Sequence, residues 1–264
     1  MALRYRSTRG ERVNGVGRLL ILIMLLTSNS TMAEVLRLAG NVWPPYTDHQ
    51  LPEDGLSADI IRTALGRAGY RVEYVQVPWE RALLGLRNGT YDMLNGWPTM
   101  KRADYVRSSR PFLVNRMRWV QRRDSDIHYR DAESLIGYSI ALSRGYAYAE
   151  ELSNDARLVT EYAVNFIQAA RMVLARRVDL TLEDERTASF HFERELKDVS
   201  AGLRFVPGDF TLLNLSLVVR NSHPQQAEII AAFDREIDAM VEDGSYAAIF
   251  ARHGLPAPVS LPQP

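Results

Sequence analysis

The sequence predicts an α/β fold in two lobes, and three observations carry that reading. From Glu34 onward, short apolar runs alternate with stretches of helical periodicity, the pattern of a largely parallel sheet with covering helices. Two apolar runs, at residues 117–121 and 213–219, stand far apart with a second strand-and-helix alternation between them. The chain has 264 residues, 46% hydrophobic and 24% charged, enough for one large domain or two modest ones. The simplest organisation inserts a second lobe into the first, with the two runs as crossing strands. Lobe one then covers 34–117 and 213–254, and lobe two covers 118–212.

Residues 1–33 read as a leader. Arg4, Arg6, Arg9, Arg12 and Arg18 precede the apolar run 19–26, and small or polar residues follow, with Thr31 and Ala33 placed as in a cleavage site. Eight helical residues reach only about 12 Å, against roughly 30 Å of bilayer hydrocarbon, so an export signal fits better than an anchor. The first strand is expected at 35–39. Ser57 is the expected N-cap of a helix over 58–68, with Ile60, Ile61, Ala64 and Leu65 on one face and Gly69 as its stop. A strand over 71–77 follows. Pro78 then starts a helix whose buried stripe is Ala82, Leu83 and Leu86 and whose stop is Asn88-Gly89, before a short strand at 91–94.

The second alternation places strands at 137–142 and 178–182 and helices at 146–152, 165–175 and 184–192. After the return, Ile229, Ile230, Phe233, Ile237 and Met240 mark one face of a helix over 224–241, and a short helix follows at 246–252. Four prolines within 256–264 suggest a flexible tail over 255–264.

Composition excludes several chemistries. There is no cysteine, hence no disulfide, thiolate metal site or thioether-linked lipid. With no lipid-bearing cysteine and no second apolar span, an exported product is expected in the periplasm of a two-membrane cell. The formal charge is zero, and without the arginine-rich leader the remainder is mildly acidic, which argues against a nucleic-acid partner. His49, His128, His191, His223 and His253 lack metal-ligand spacing, and no phosphate loop or nucleophile elbow is present, so no cofactor or metal is expected.

A set of markers stands in order along the chain: Trp43-Pro44-Pro45-Tyr46, Gly55-Leu56-Ser57-Ala58-Asp59-Ile60, Pro78-Trp79-Glu80-Arg81-Ala82-Leu83, Asn88-Gly89-Thr90-Tyr91-Asp92, Thr99-Met100-Lys101-Arg102, Arg144-Gly145-Tyr146-Ala147-Tyr148, the run 177–184, and Asp243-Gly244-Ser245-Tyr246 with Ile249. Together they resemble the family 3 bacterial extracellular solute-binding proteins, the polar amino-acid receptors of ABC importers. The resemblance implies a type II periplasmic-binding fold with a two-strand hinge, acting as a monomer. It implies closure around a small amino-acid-like or carboxylate ligand, and docking on a membrane permease. It implies binding, not catalysis.

The resemblance also implies site residues. Arg102 would grip a ligand carboxylate with its planar fork, and Asp184 would receive an ammonium group from the opposite lobe. Otherwise, an arginine there caps or pairs at the surface, and an aspartate after a strand caps the next helix. Trp43 and Tyr46, in an irregular loop after a strand, would cover the ligand; Trp79 is expected to pack. Thr99, Trp97, Arg144, Gly145 and Tyr146 complete the expected lining, with amides at 145–147 able to meet an anion at a helix start. The segment 92–102 is shorter than in the family, Trp97-Pro98 replaces hydroxyl donors, and Tyr146 and Ala147 follow Gly145 where small hydroxyl residues are usual. These departures leave the ligand open. Two rivals share the scaffold: a cyclohexadienyl dehydratase-like enzyme, with Glu183 or Asp184 as general acid, and a sensing partner of a membrane receptor.

Overall fold

The computed structural model describes Met1 and residues 34–99, 102–207, 211–258 and 260–262. The leader expected at 1–33 lies outside the described residues, as do Met100 and Lys101 of the marker before Arg102.

One end of the sheet is built by a βαβαβ run. β1 (Val35–Gly40) pairs in parallel with β2 (Arg71–Gln76) and β3 (Met93–Gly96), with α1 (Leu56–Arg67) and α2 (Trp79–Asn88) as the crossovers. Leu36, Leu38 and Ala39 of β1 are buried, as a strand covered on both faces requires. α1 buries Ile60, Ile61, Ala64 and Leu65, each large side chain contributing about 1.5–3 kcal/mol. Its N-cap is Gly55, not Ser57. The backbone there takes φ +100°, and a Cβ on Gly55 would stand 2.6 Å from the Tyr46 carbonyl oxygen. Ser57 is the second residue of the helix, where its hydroxyl donates to the Tyr46 carbonyl at 2.9 Å.

The other end repeats the arrangement. β4 (Val106–Arg122) leads into it, and β5 (Ser139–Ser143), α3 (Ala147–Ser153), β6 (Val159–Ala163), α4 (Phe166–Leu174) and β7 (Leu180–Asp184) form a second βαβαβ unit, with β5 parallel to both β6 and β7. α5 (Glu185–Glu193) and β8 (Leu203–Phe205) precede the return through β9 (Thr211–Arg220), then α6 (Gln226–Glu242) and α7 (Ser245–Arg252). The strand order is β2-β1-β3-β9-β4-β7-β5-β6, with β8 on the end of β4.

β4 and β9 join the two units. They run antiparallel from Val106↔Arg220 to Met117↔Thr211, and Met117 also stands opposite Asp184 of β7, so β4 exchanges one neighbour for the other there. The register shifts on either side of Pro111, which has no N–H to give the ladder. β4 begins eleven residues before the run at 117–121, and β6 and β8 are strands where none is expected; β3 lies two residues later than expected. The tail after α7 has no regular structure, yet Leu255, Ala257 and Leu261 pack on the main core.

Candidate functional site

The carboxyl ends of all six parallel strands meet at one place. Asn41 and Trp43 follow β1, Trp79 follows β2, Gly96 and Trp97 close β3, Tyr146 follows β5, Phe166 follows β6, and Glu183 lies at the end of β7. Loops at strand carboxyl ends are where open α/β sheets hold ligands.

Aromatic rings from both units fill this junction. Trp43 lies edge-on to Trp97 at 5.6 Å, and Trp97 meets Tyr146 edge-on at 5.6 Å and Tyr148 at 5.8 Å. Trp79, expected to pack away from the ligand, stands 6.3 Å from Tyr146 and donates its indole N–H to the Gly145 carbonyl at 2.9 Å. Gly145 has φ +75°, a conformation that suits glycine, and the turn presents its carbonyl, not an amide, to Trp79 and Arg102.

Arg102 is 8% exposed. Its Nη2 donates to the Gly145 carbonyl at 3.0 Å, and its guanidinium lies 5.8 Å from the Trp79 ring. No carboxylate pairs with it among the described residues. A buried cation held only by a carbonyl and a ring face is under-compensated, since desolvating a charge is costly unless a counter-charge accompanies it. Thr99 lines a chamber with Arg102, and its buried hydroxyl has no hydrogen-bond partner among the described residues.

Asp184 presents the opposite case. It is fully buried and caps α5: Oδ1 accepts from the amides of Arg186 and Thr187 and from the Tyr46 hydroxyl at 3.0 Å, and Oδ2 accepts from the Asn115 side chain and the Arg116 amide. Asn115 in turn accepts the Trp97 indole N–H at 2.8 Å. Five donors fill the carboxylate that the sequence reading offers to a ligand ammonium. Tyr46 is equally withdrawn: it is buried, and neither it nor Asp184 lines the two chambers described next.

Glu183 is the acid that lines a chamber. It is 1% exposed, and both bonds it accepts fall on Oε1, from the Asp184 amide at 2.8 Å and the Trp43 indole at 3.3 Å. Burial pushes its carboxyl up to about 8, and the charge of Asp184 adds to that, against the pull of the two N–H donors.

Two chambers share a wall of Asn41, Trp43, Trp79 and Tyr146. The one beside Arg102, also bounded by Asn95 and Trp97, measures about 20 Å³, room for one water. The other, with Glu183, Thr187, His191 and Arg144 in its lining, measures about 350 Å³, within the range of small-molecule sites. Arg144 is exposed at its edge and lies 5.1 Å from the Tyr162 ring. Thr187 was absent from the sequence reading, and His191 entered it only as one of five histidines without metal-ligand spacing. Their signal is the i, i+4 spacing of 187 and 191, which sets the two on one side of α5, the helix that follows Glu183. Among the described residues no group of three or more His, Cys, Asp or Glu converges as a metal site, and no helix is long and apolar enough to cross a membrane.

Known structures share this architecture. A histidine kinase sensor domain similar to periplasmic binding proteins matches with TM-score 0.72 and 22% identity, covering 88% of this chain and 98% of its own. An ancestral arginine-binding protein bound to arginine matches with TM-score 0.70 and 20% identity, covering 84% and 98%. An ancestral amino-acid-binding protein, described as a precursor of cyclohexadienyl dehydratase, matches with TM-score 0.66 and 19% identity, covering 83% and 94%. No curated protein sequence matches. At these identities the likeness establishes the fold, a type II periplasmic-binding architecture. The family follows from the sequence itself: residues 38–256 match the bacterial extracellular solute-binding proteins, family 3, and the chain belongs to that family.

Proposed function

We propose that the protein is the periplasmic receptor of an ABC importer and captures a small carboxylate-bearing solute by closing its two lobes on it. The observation that carries this reading is Arg102, a buried guanidinium without a carboxylate partner among the described residues, reaching across the junction to the Gly145 carbonyl of the other unit. A ligand carboxylate supplies the missing counter-charge through two parallel hydrogen bonds. Because Arg102 and Gly145 belong to different units, a ligand bound there favours the closed state by its differential affinity.

The experiment is calorimetry of small carboxylates on the wild type and on Arg102→Gln. The expected result is a loss of about 100-fold or more in affinity, the scale for truncating one partner of a buried charge pair. Unchanged affinity would rule out the grip. One observation favours a second reading, a dehydratase-like enzyme: Glu183 is buried and held protonated near neutral pH, as a general acid must be. Turnover of a cyclohexadiene carboxylate would replace the binding reading with that one.

A further inference from the structure

We propose that the larger chamber is an amine subsite formed by Glu183, Thr187 and His191, and that the ligand is an ω-amino carboxylate, its carboxylate on Arg102 and its amine in this chamber. The proposal rests on the carboxylate reading of Arg102 and goes beyond it in naming the second pole of the ligand and the groups that hold it.

Three acceptors stand along one side of the chamber. Glu183 carries both of its hydrogen bonds on Oε1, which leaves Oε2 uncommitted among the described residues. Thr187 is 1% exposed, and its buried Oγ1 has no hydrogen-bond partner among the described residues. A buried hydroxyl without a partner has lost its water bonds and regains stability when a ligand donor bonds it. His191, 6% exposed, holds its Nδ1 at 2.8 Å from the Glu195 carboxylate; in the tautomer that donates to that carboxylate from Nδ1, Nε2 is an acceptor. A primary ammonium has three N–H donors for these three acceptors. Trp43, Trp79 and Tyr146 add π faces that suit a cation or the methylenes leading to it.

A plain α-amino acid does not suit this arrangement: its α-ammonium lies beside its carboxylate, yet the acid placed to meet it, Asp184, is filled by five protein donors. The larger chamber lies across the shared wall, so the amine is carried there on a short chain. On arrival the ammonium takes the place of the Glu183 proton, which leaves to solvent. The groups that bear on that exchange are Asp184 beside it, Tyr146 and Tyr148 from the α3 side, His191 on α5 and Arg144 at the edge. Affinity for the amine series therefore rises with pH toward 8.

The test compares γ-aminobutyrate, δ-aminovalerate and ε-aminocaproate with butyrate, valerate and caproate by calorimetry on the full mature chain. At least one amine compound is expected to bind about tenfold or more tightly than its amine-free partner. Glu183→Gln, which keeps the shape and the Oε1 acceptor, is expected to bring that ratio close to one. Thr187→Val, which removes only the orphaned hydroxyl, is expected to lower the ratio about threefold with an unchanged or higher melting temperature. Equal affinities within each pair, or a ratio that neither substitution moves, overturns the subsite. Amine-free carboxylates that bind through Arg102 keep the carboxylate reading in force even then; if no compound in either series binds, both readings fall.

Discussion

Two buried charges hang from equivalent places in the two halves of the sheet. Arg102 follows β3 and Asp184 ends β7, the strands next to the crossing pair in each unit. One is under-compensated and the other saturated. Asp184 sits where a strand turns into a helix, so two amides of α5 come to it from the local geometry, and Tyr46, Asn115 and the Arg116 amide complete its shell. Arg102 sits in a loop, and of the five N–H donors of its guanidinium one, among the described residues, is bonded, to the Gly145 carbonyl. The contrast separates a charge that the fold itself satisfies from one that, under the proposed function, a ligand carboxylate satisfies.

The largest effect expected from this contrast is on stability. Asp184→Ala removes an N-cap and strands the Tyr46 hydroxyl, the Asn115 amide and the Arg116 N–H in the interior. A loss of about 4 kcal/mol is expected by denaturant unfolding, the sum of a cap and buried unsatisfied donors. A loss below about 1 kcal/mol would mean that the shell around Asp184 re-forms without it.

Next in size is a pH effect at Glu183. A carboxyl ordinarily near 4.3 that is pushed up to about 8 in the folded state binds a proton that the unfolded chain releases. Its contribution to stability is complete below about pH 4.3 and is lost as pH rises through 8. The melting temperature of the wild type is expected to fall between pH 5 and pH 8.5 more steeply than that of Glu183→Gln, a difference on the order of 2 kcal/mol. Identical slopes would assign the titration to another group.

Smaller still, and opposite in sign to Asp184→Ala, is Arg102→Met. Replacing an under-compensated buried cation by an apolar side chain of similar length is expected to raise ligand-free stability by about 1–2 kcal/mol while binding is lost. A destabilised Arg102→Met would show that the Gly145 bond and the Trp79 ring compensate the charge, and the comparison with Asp184 would lose its basis.

The elements with strong apolar periodicity were legible. The stripe of Ile229, Ile230, Phe233, Ile237 and Met240 is the buried face of α6, and Ile60, Ile61 and Leu65 that of α1. The first half of β4 was not, because Arg107, Ser108, Ser109, Arg110 and Pro111 carry no strand signal; that stretch is extended because β9 pairs with it. β6, at the end of the sheet, buries only Ala163 fully and has little pattern to read. In the site, Arg102 was reachable through its marker. The saturation of Asp184 was not, since Asn115 and Tyr46 lie 69 and 138 residues away and only the fold brings them to it. Glu183 was in view as the neighbour of Asp184, but which acid faces a chamber depends on the turn from β7 into α5.

The smallest effect tests how the two halves are tied at Arg102. Gly145 takes φ +75°, where an L side chain costs about 1 kcal/mol. Its Cβ would stand 3.2 Å from Trp79 Cδ1 and 3.4 Å from Glu80 Cγ. Trp79 donates to the same carbonyl that Arg102 uses, so a shift of that ring moves both bonds. Gly145→Ala is therefore expected to lower stability by about 1 kcal/mol and to weaken carboxylate binding severalfold, although residue 145 offers a ligand no side chain. If stability falls while affinity holds, Arg102 is positioned by its own loop, and the Gly145 carbonyl only rests against it.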